Sequence, residues 1–243
     1  MGSPQRFLNG IASVASDNPV GALPYLDPTK WCIWFEDFVQ FPDTAASSAW
    51  TDTNTNGTLA VASTLGCGIA TQTLGGADND LSQVYLATAT LQIATAKKFI
   101  FEAKVKVDKG AAGTIGEQEV FVGLSAVLTG ANFTAADGLT MTTDDCVGFW
   151  SPDGSASWSC IVRDTDVESI DTAAATMVDA TWYVLSWYYD GIGTVKFYVN
   201  DVLVASLTDI PEDTALTPTI FIKGGEAKPA VLSTDYLLVA RER

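Results

Sequence analysis

Apolar and aromatic side chains recur at every second position through most of this chain, the period of β-strands with one face buried. The alternation is plainest between Phe99 and Val107. There Phe99, Phe101, Ala103, Val105 and Val107 fall on one face, and Ile100, Glu102, Lys104 and Lys106 on the other. The same period runs from Trp182 to Trp187 and from Val195 to Val199, with Asp190-Gly191-Ile192-Gly193 between them. Gly-rich punctuation between two alternating runs predicts a hairpin, and the Asn200-Asp201 turn adds Val202 to Leu207 as a third strand. Val120 to Val127 is continuously apolar, which suits a central strand covered on both faces.

The remaining strands follow in the same style. Trp31 to Phe38, Trp50 to Thr53, Thr58 to Ser63, Leu81 to Leu86, Val147 to Trp150, Trp158 to Arg163 and Glu168 to Ile170 are each bounded by turn residues. A further short segment lies between Gly66 and Gly75, and after the Ile210-Pro211 turn a short apolar strand leads to a last one through Asp235 to Val239. Helix signals are confined to Ala131 to Asp137 and Ala173 to Val178. Strands with turns every eight to twelve residues predict one all-β domain, an antiparallel β-sandwich of jelly-roll type spanning residues 25–243. Residues 1–24 differ, being small, Gly- and Pro-punctuated and only sparsely apolar, at Phe7, Leu8, Ile11, Val14 and Val20. They cannot build a core alone and read as an extended N-terminal arm, able to reach about 80 Å at full extension.

Charge then narrows the partners. The chain has 243 residues, 47% of them hydrophobic, and only 17% charged, yet its net charge is -16. Nucleic acid and anionic membranes bind clustered Lys and Arg that this sequence lacks, so neither is expected. No apolar run approaches the roughly 20 residues that cross a bilayer as a helix. The first nine residues carry one arginine and no apolar core, unlike a secretion signal, so synthesis in a cytoplasm is the expectation. Histidine is absent, which removes Ser-His-Asp and Cys-His catalysis. Cys32, Cys67, Cys146 and Cys160 have no metal-ligand spacing and read as four small buried hydrophobes.

Several pieces stand in a recognisable order. Trp34-Phe35-Glu36-Asp37-Phe38 comes first, then the Gly75-Gly76-Ala77-Asp78-Asn79-Asp80 turn and the Lys97 to Val107 strand. The Trp182 to Gly191 meander and a final Asp235 to Arg243 strand close the series. Together they resemble the concanavalin A-like (laminin-G-like) jelly-roll proteins of tailed bacteriophage heads, which look like capsid decoration or cement proteins. The resemblance covers about residue 31 to the C-terminus. It implies a non-catalytic virion protein on the outside of the head, binding the major capsid protein and neighbouring copies of itself, as a trimer or dimer. On that reading Phe7, Leu8, Ile11, Val14, Val20 and Tyr25 would make the arm's contacts with the shell.

Three other chemistries compete. A glycosidase needs two carboxylates facing each other across a cleft, about 5 Å or about 6.5 to 9.5 Å apart. The related laminarinase-like enzymes carry E-x-D-x-x-E on one strand, and neither Glu117-Gln118-Glu119 nor Asp164 to Glu168 has that spacing. Glycan binding by a module of a phage tail or fibre is the alternative function. Trp150, Asp153 and Trp158 would form its platform, because Trp150 adjoins a Ser-Pro-Asp-Gly turn where a ring is readily exposed. Calcium would find oxygen ligands at Asp78 and Asp80 or at Asp144 and Asp145. Asp-Asn-Asp beside Gly-Gly is also ordinary turn chemistry, and a turn without a cofactor is the expectation.

Overall fold

The computed structural model describes residues 28–38, 50–64, 67–88, 91–110, 113–126, 145–165 and 167–243. The arm residues from Phe7 to Val20, Tyr25, the Ala131 to Asp137 segment and Asp144 lie outside the described residues. Sixteen strands make up the described chain. They are β1 (Trp31–Glu36), β2 (Trp50–Thr55), β3 (Gly57–Thr64), β4 (Cys67–Leu74), β5 (Leu81–Leu86), β6 (Leu91–Gln92), β7 (Phe99–Asp108) and β8 (Gln118–Ser125). Then follow β9 (Cys146–Ser151), β10 (Ser157–Asp164), β11 (Val167–Thr176), β12 (Thr181–Tyr189), β13 (Val195–Val199), β14 (Val202–Leu207), β15 (Ala215–Gly224) and β16 (Val231–Glu242).

They form two antiparallel sheets stacked as a sandwich, as the alternation predicts. The first runs β14-β13-β12-β7-β16-β4-β3, with β1 also on β16, and the second runs β11-β10-β9-β8-β15-β5-β2, with β6 also on β15. The last two strands are long enough to take two partners along one edge. β16 pairs with β4 through Val231 to Thr234 and with β1 through Leu237 to Glu242. β15 pairs with β6 at Ala215 and Leu216 and with β5 from Thr219 to Lys223. Pro218 falls between those two partners, so its missing N–H interrupts neither of the two pairings on that edge.

The odd-numbered face of β7 enters the core as the pattern predicts, with Phe99, Phe101, Ala103, Val105 and Val107 all buried. Trp187 on β12 is fully buried and lies parallel to Phe99 and Phe101, with ring centroids at 5.3 and 5.6 Å. From the second sheet Phe149 meets Phe197 edge-on at 5.4 Å, and Trp158 meets Tyr183 at 6.1 Å. β8 is buried at all eight positions, confirming a strand covered on both faces. The β12–β13 hairpin forms where the sequence puts it, and the Asp190 carboxylate holds its turn by accepting from the Ile192 and Thr194 backbone N–H groups at 2.8 and 3.2 Å. Asn200 and Asp201 both take positive φ, the conformation a two-residue hairpin turn needs.

The Ala173 to Val178 segment corrects the helix reading. Up to Thr176 it belongs to edge strand β11, whose register against β10 slips between Trp158 and Cys160. Ala173 sits at a φ of 60° within that irregularity, and Ala174 and Ala175 pack on the core. Pairing with β10 and burial of two small side chains override the alanine preference for helix. No helix occurs among the described residues.

Two outcomes test this architecture. Trp187→Ala should lower unfolding free energy by about 3–5 kcal/mol in a denaturant titration, since its cavity lies between two stacked rings. Removing residues 231–243 should abolish a cooperative unfolding transition altogether, because β16 is what joins β7 to β4 and β1.

Candidate functional site

The outer face of the second sheet is the first place to look for a site, because its side chains combine rings, hydroxyls and a carboxylate. Strand register sets one row across it as Thr53, Gln83, Phe221, Phe121, Trp150 and Ser159. The next row contains Tyr85, Thr219, Gly123, Gly148 and Ile161. The Phe121 ring lies over both glycines, and a Cβ on Gly123 or Gly148 would come within 3.0 or 2.9 Å of its Cζ. The facing backbone is closer still, with the Val147 carbonyl oxygen nearest a Cβ on Gly123 and the Val122 carbonyl oxygen 2.6 Å from one on Gly148, so both the strand pairing and the ring leave room only for glycine.

The face is filled rather than open. Phe121 is 0%, Phe221 1% and Trp150 4% exposed, and Glu119 beside them is fully buried. Trp150 Nε1 donates to Glu119 Oε1 at 3.1 Å. Ser125 and Thr219 share a hydroxyl hydrogen bond of 2.7 Å, and Thr217 Oγ1 donates to the Leu86 carbonyl at 3.0 Å. Gln83 Oε1 is buried without a hydrogen-bond partner.

This geometry corrects the glycan platform. Trp150 pairs with Ser159, so Trp158 is one residue out of register and points to the opposite face of the sheet. Trp150 is buried on the outer face, Trp158 is fully buried in the core, and Asp153 is half-buried in the turn beyond β9. The three do not converge, and neither ring offers a surface on which a sugar could stack.

The acidic residues are similarly occupied. Asp80 is buried, with Oδ2 accepting from the Ala77 backbone N–H at 2.7 Å and Oδ1 from Asn56 Nδ2 at 3.1 Å. Asp78 is exposed beside it, and Asn79 has a φ of 63°, so this is the turn that the sequence favours. Asp145 Oδ1 accepts from the Thr165 backbone N–H at 2.7 Å. Among the described residues no group of three or more His, Cys, Asp or Glu side chains gathers as a metal site. Glu117 bonds Lys228 at 2.9 Å and the Thr114 backbone N–H at 2.6 Å, and the Lys228 bond leads in holding its carboxyl below the usual range.

Four other glutamates each take a proton donor from an aromatic side chain. Glu36 accepts from Trp50 at 3.3 Å, Glu102 from Tyr236 at 2.7 Å, Glu119 from Trp150 at 3.1 Å and Glu212 from Tyr189 at 2.6 Å. The Thr95 hydroxyl also donates to Glu212 at 2.6 Å and is the leading cause lowering its pKa, while burial is the leading cause raising that of Tyr189. Each pair joins one carboxylate to one ring, not carboxylate to carboxylate across a cleft. The signal was present in the sequence, since Glu36, Glu102 and Tyr236 all belong to the motifs that carry the resemblance.

The first sheet's outer face holds what the sequence reading did not single out. Lys104 and Lys106 project from β7 on the same side, each with its Nζ 5.3 Å from the centroid of the Trp182 ring on β12. Lys104 also pairs with Asp235 at 2.7 Å, and a register shift in β16 between Thr234 and Tyr236 brings that carboxylate to it. The alternation of two lysines was legible, but their common ring was set by the β7–β12 register.

A scan against protein-family models finds no match, and a search of curated proteins finds no relative of significant sequence similarity. Solved structures do match in fold. A protein of unknown function from Shewanella oneidensis MR-1 superposes with a TM-score of 0.59 at 11% identity, over 93% of this chain and 94% of that one. The Emp47p carbohydrate recognition domain gives 0.57 at 9% identity, over 88% and 98%. An endo-1,3-β-glucanase from Streptomyces sioyaensis gives 0.56 at 10% identity, over 89% and 98%. The chain therefore has the concanavalin A-like sandwich fold shared by lectins and glucanases. Identities this low show the fold alone.

The thiols provide a check on which faces are closed. Burial pushes the Cys146 and Cys160 thiols well above their ordinary pKa, whereas Cys32 is exposed. Iodoacetamide at neutral pH should modify Cys32 in the native protein and reach Cys146 and Cys160 only after denaturation, as read by peptide mass spectrometry.

Proposed function

We propose that this protein is a structural adhesion module: a decoration protein on the outer surface of a tailed bacteriophage head, binding the major capsid protein without catalysing a reaction. The observation that carries this reading is the occupied outer face of the second sheet, where Trp150, Phe121, Phe221 and Glu119 are buried and hydrogen-bonded or packed. A sugar-processing groove needs open rings and opposed carboxylates, and these residues supply neither. The order of motifs from Trp34 to Arg243 supports the phage assignment. A net charge of -16 suits the outside of a shell, whose inner side faces packaged DNA.

Contacts formed only with the mature shell stabilise that shell by linkage, and many weak contacts on one lattice act together. Residues 1–24, with Phe7, Leu8, Ile11, Val14 and Val20, and Tyr25 beyond them, would extend such contacts across neighbouring subunits. Closed symmetry is the common arrangement for proteins on lattice axes, so a trimer or dimer of copies fits this role. The protein would be made in the host cytoplasm and function on the virion, with no cofactor.

A second reading comes from the comparisons: the same fold serves the Emp47p carbohydrate recognition domain and peanut lectin. On that reading the chain is a glycan-binding module of a tail or fibre. Copy number distinguishes the two. Quantitative mass spectrometry of purified particles should find hundreds of copies per particle. A handful would move the protein to the tail, and none would end the virion assignment.

A further inference from the structure

A diagonal stripe crosses four strands on the outer face of the first sheet: Ile33 and Phe35 on β1, Tyr236 on β16, Lys104 and Lys106 on β7, and Trp182 on β12. Ile33 and Phe35 are 43% and 41% exposed, large values for apolar side chains on one face of a strand. The Phe35 ring lies 5.8 Å from that of Tyr236, and Tyr236 stands opposite Lys104 in the ladder. Lys104 and Lys106 then flank the half-buried Trp182 indole.

Charge distinguishes this stripe by clustering. The chain has 29 acidic and 13 basic residues, yet Lys104 and Lys106 stand two positions apart on one face of β7. Lys104 has Asp235, but among the described residues Lys106 makes no ion pair, and the contact recorded for it is the indole. Asp108, two residues further along the strand, uses its Oδ1 to accept from the Gly110 backbone N–H at 2.9 Å. A cation–π contact fixes an ammonium in place without neutralising it. One full positive charge is thus held half-exposed on a protein of opposite overall sign, with a second lysine about 7 Å along the same strand.

We infer that this stripe docks a carboxylate-bearing polypeptide segment, whose apolar residues cover Ile33 and Phe35 while its acidic side chains meet Lys104 and Lys106. The inference rests on the adhesive reading above and gives it a surface. Charge complementarity selects the occupant. A second copy meeting this face with its own would set lysines against lysines, and two lysines, one of them shared with Asp235, are too few to track a phosphate backbone. An acidic polysaccharide would meet the lysines but leave the exposed apolar side chains of Ile33 and Phe35 uncovered, whereas a polypeptide has apolar residues to bury them.

The test is fluorescence anisotropy with the full chain and a fluorescein-labelled peptide of alternating glutamate and leucine, with a glutamine-leucine peptide in parallel. The glutamate peptide should bind at low salt and dissociate as salt rises. Lys104→Gln with Lys106→Gln should weaken it by about tenfold, and Lys104→Arg with Lys106→Arg should retain binding. Lys98→Gln, the loss of one positive charge at an exposed lysine outside the stripe, should leave affinity unchanged. Equal binding by the double glutamine variant, equal binding of the glutamine peptide, or no binding at all would overturn the inference. Displacement of a bound polygalacturonate by the same lysine substitutions, with the peptide unaffected, would overturn it in favour of an acidic polysaccharide. Particle copy number reads the shell assignment separately, so a failed peptide assay with hundreds of copies removes only this docking surface.

Discussion

Neither sheet of this protein is continuous until its last thirty residues are in place. β15 is the strand that joins β5 and β6 to β8, and β16 is the strand that joins β4 and β1 to β7. Before they dock, the first six strands and the strands from β7 to β14 have no hydrogen-bonded ladder between them among the described residues. The cost of closing such long loops falls before the burial that offsets it, which places this topology among slow-folding, high-contact-order domains. The same constraint explains the burial pattern. β15 is buried at nine of ten positions and β16 carries Leu232, Leu237 and Val239 into the core, because each is an interior strand paired along both edges.

Acid and aromatic side chains are coupled throughout this frame. A buried carboxylate without partners costs far more than a hydrogen bond returns, so a chain rich in acids must place or satisfy them. Here the buried Glu102 and Glu119 are satisfied in part by Tyr236 and Trp150, and the half-buried Glu36 and exposed Glu212 take donors from Trp50 and Tyr189. Glu36 does more, since its other oxygen accepts from the Phe38 backbone N–H at 2.8 Å. With Trp34 and Phe38 lying 5.5 and 6.0 Å from Trp50, that cluster ties the first strand of one sheet to the first strand of the other. Residues that resemble a chemical inventory in sequence are thereby committed to structure.

Alternation made most strands, the hairpin of β12 and β13, and the inward face of β7 legible in the sequence, because burial on one side imposes a period of two. Register was not legible, and register decides the site. Trp150 and Trp158 are both turn-flanking aromatics to a reader of sequence, yet one ladder pairing sends them to opposite faces. The Gly123 and Gly148 pair was invisible for the same reason, since only the β8–β9 alignment sets the two side by side beneath Phe121. Pro218 argues against a central strand by composition, but a gap between two edge partners accommodates it. The alanines from 173 to 175 misled because intrinsic propensity is weaker than an available strand edge.

A fold shared at 9–10% identity with a carbohydrate recognition domain and a glucanase leaves function to the surface side chains. On this surface the long-range and short-range forces differ in sign. Within about a Debye length the net charge of -16 disfavours the approach of other acidic surfaces, and beyond it the repulsion is screened. Attachment then has to come from contacts that act only on close approach, where a fixed ammonium and an exposed apolar ring outweigh the diffuse repulsion. Lys106 over Trp182 and Phe35 beside Tyr236 supply both kinds within one stripe. On the adhesive reading proposed above, such a surface would hold a partner only where a complementary face is brought against it, and many such contacts would add together.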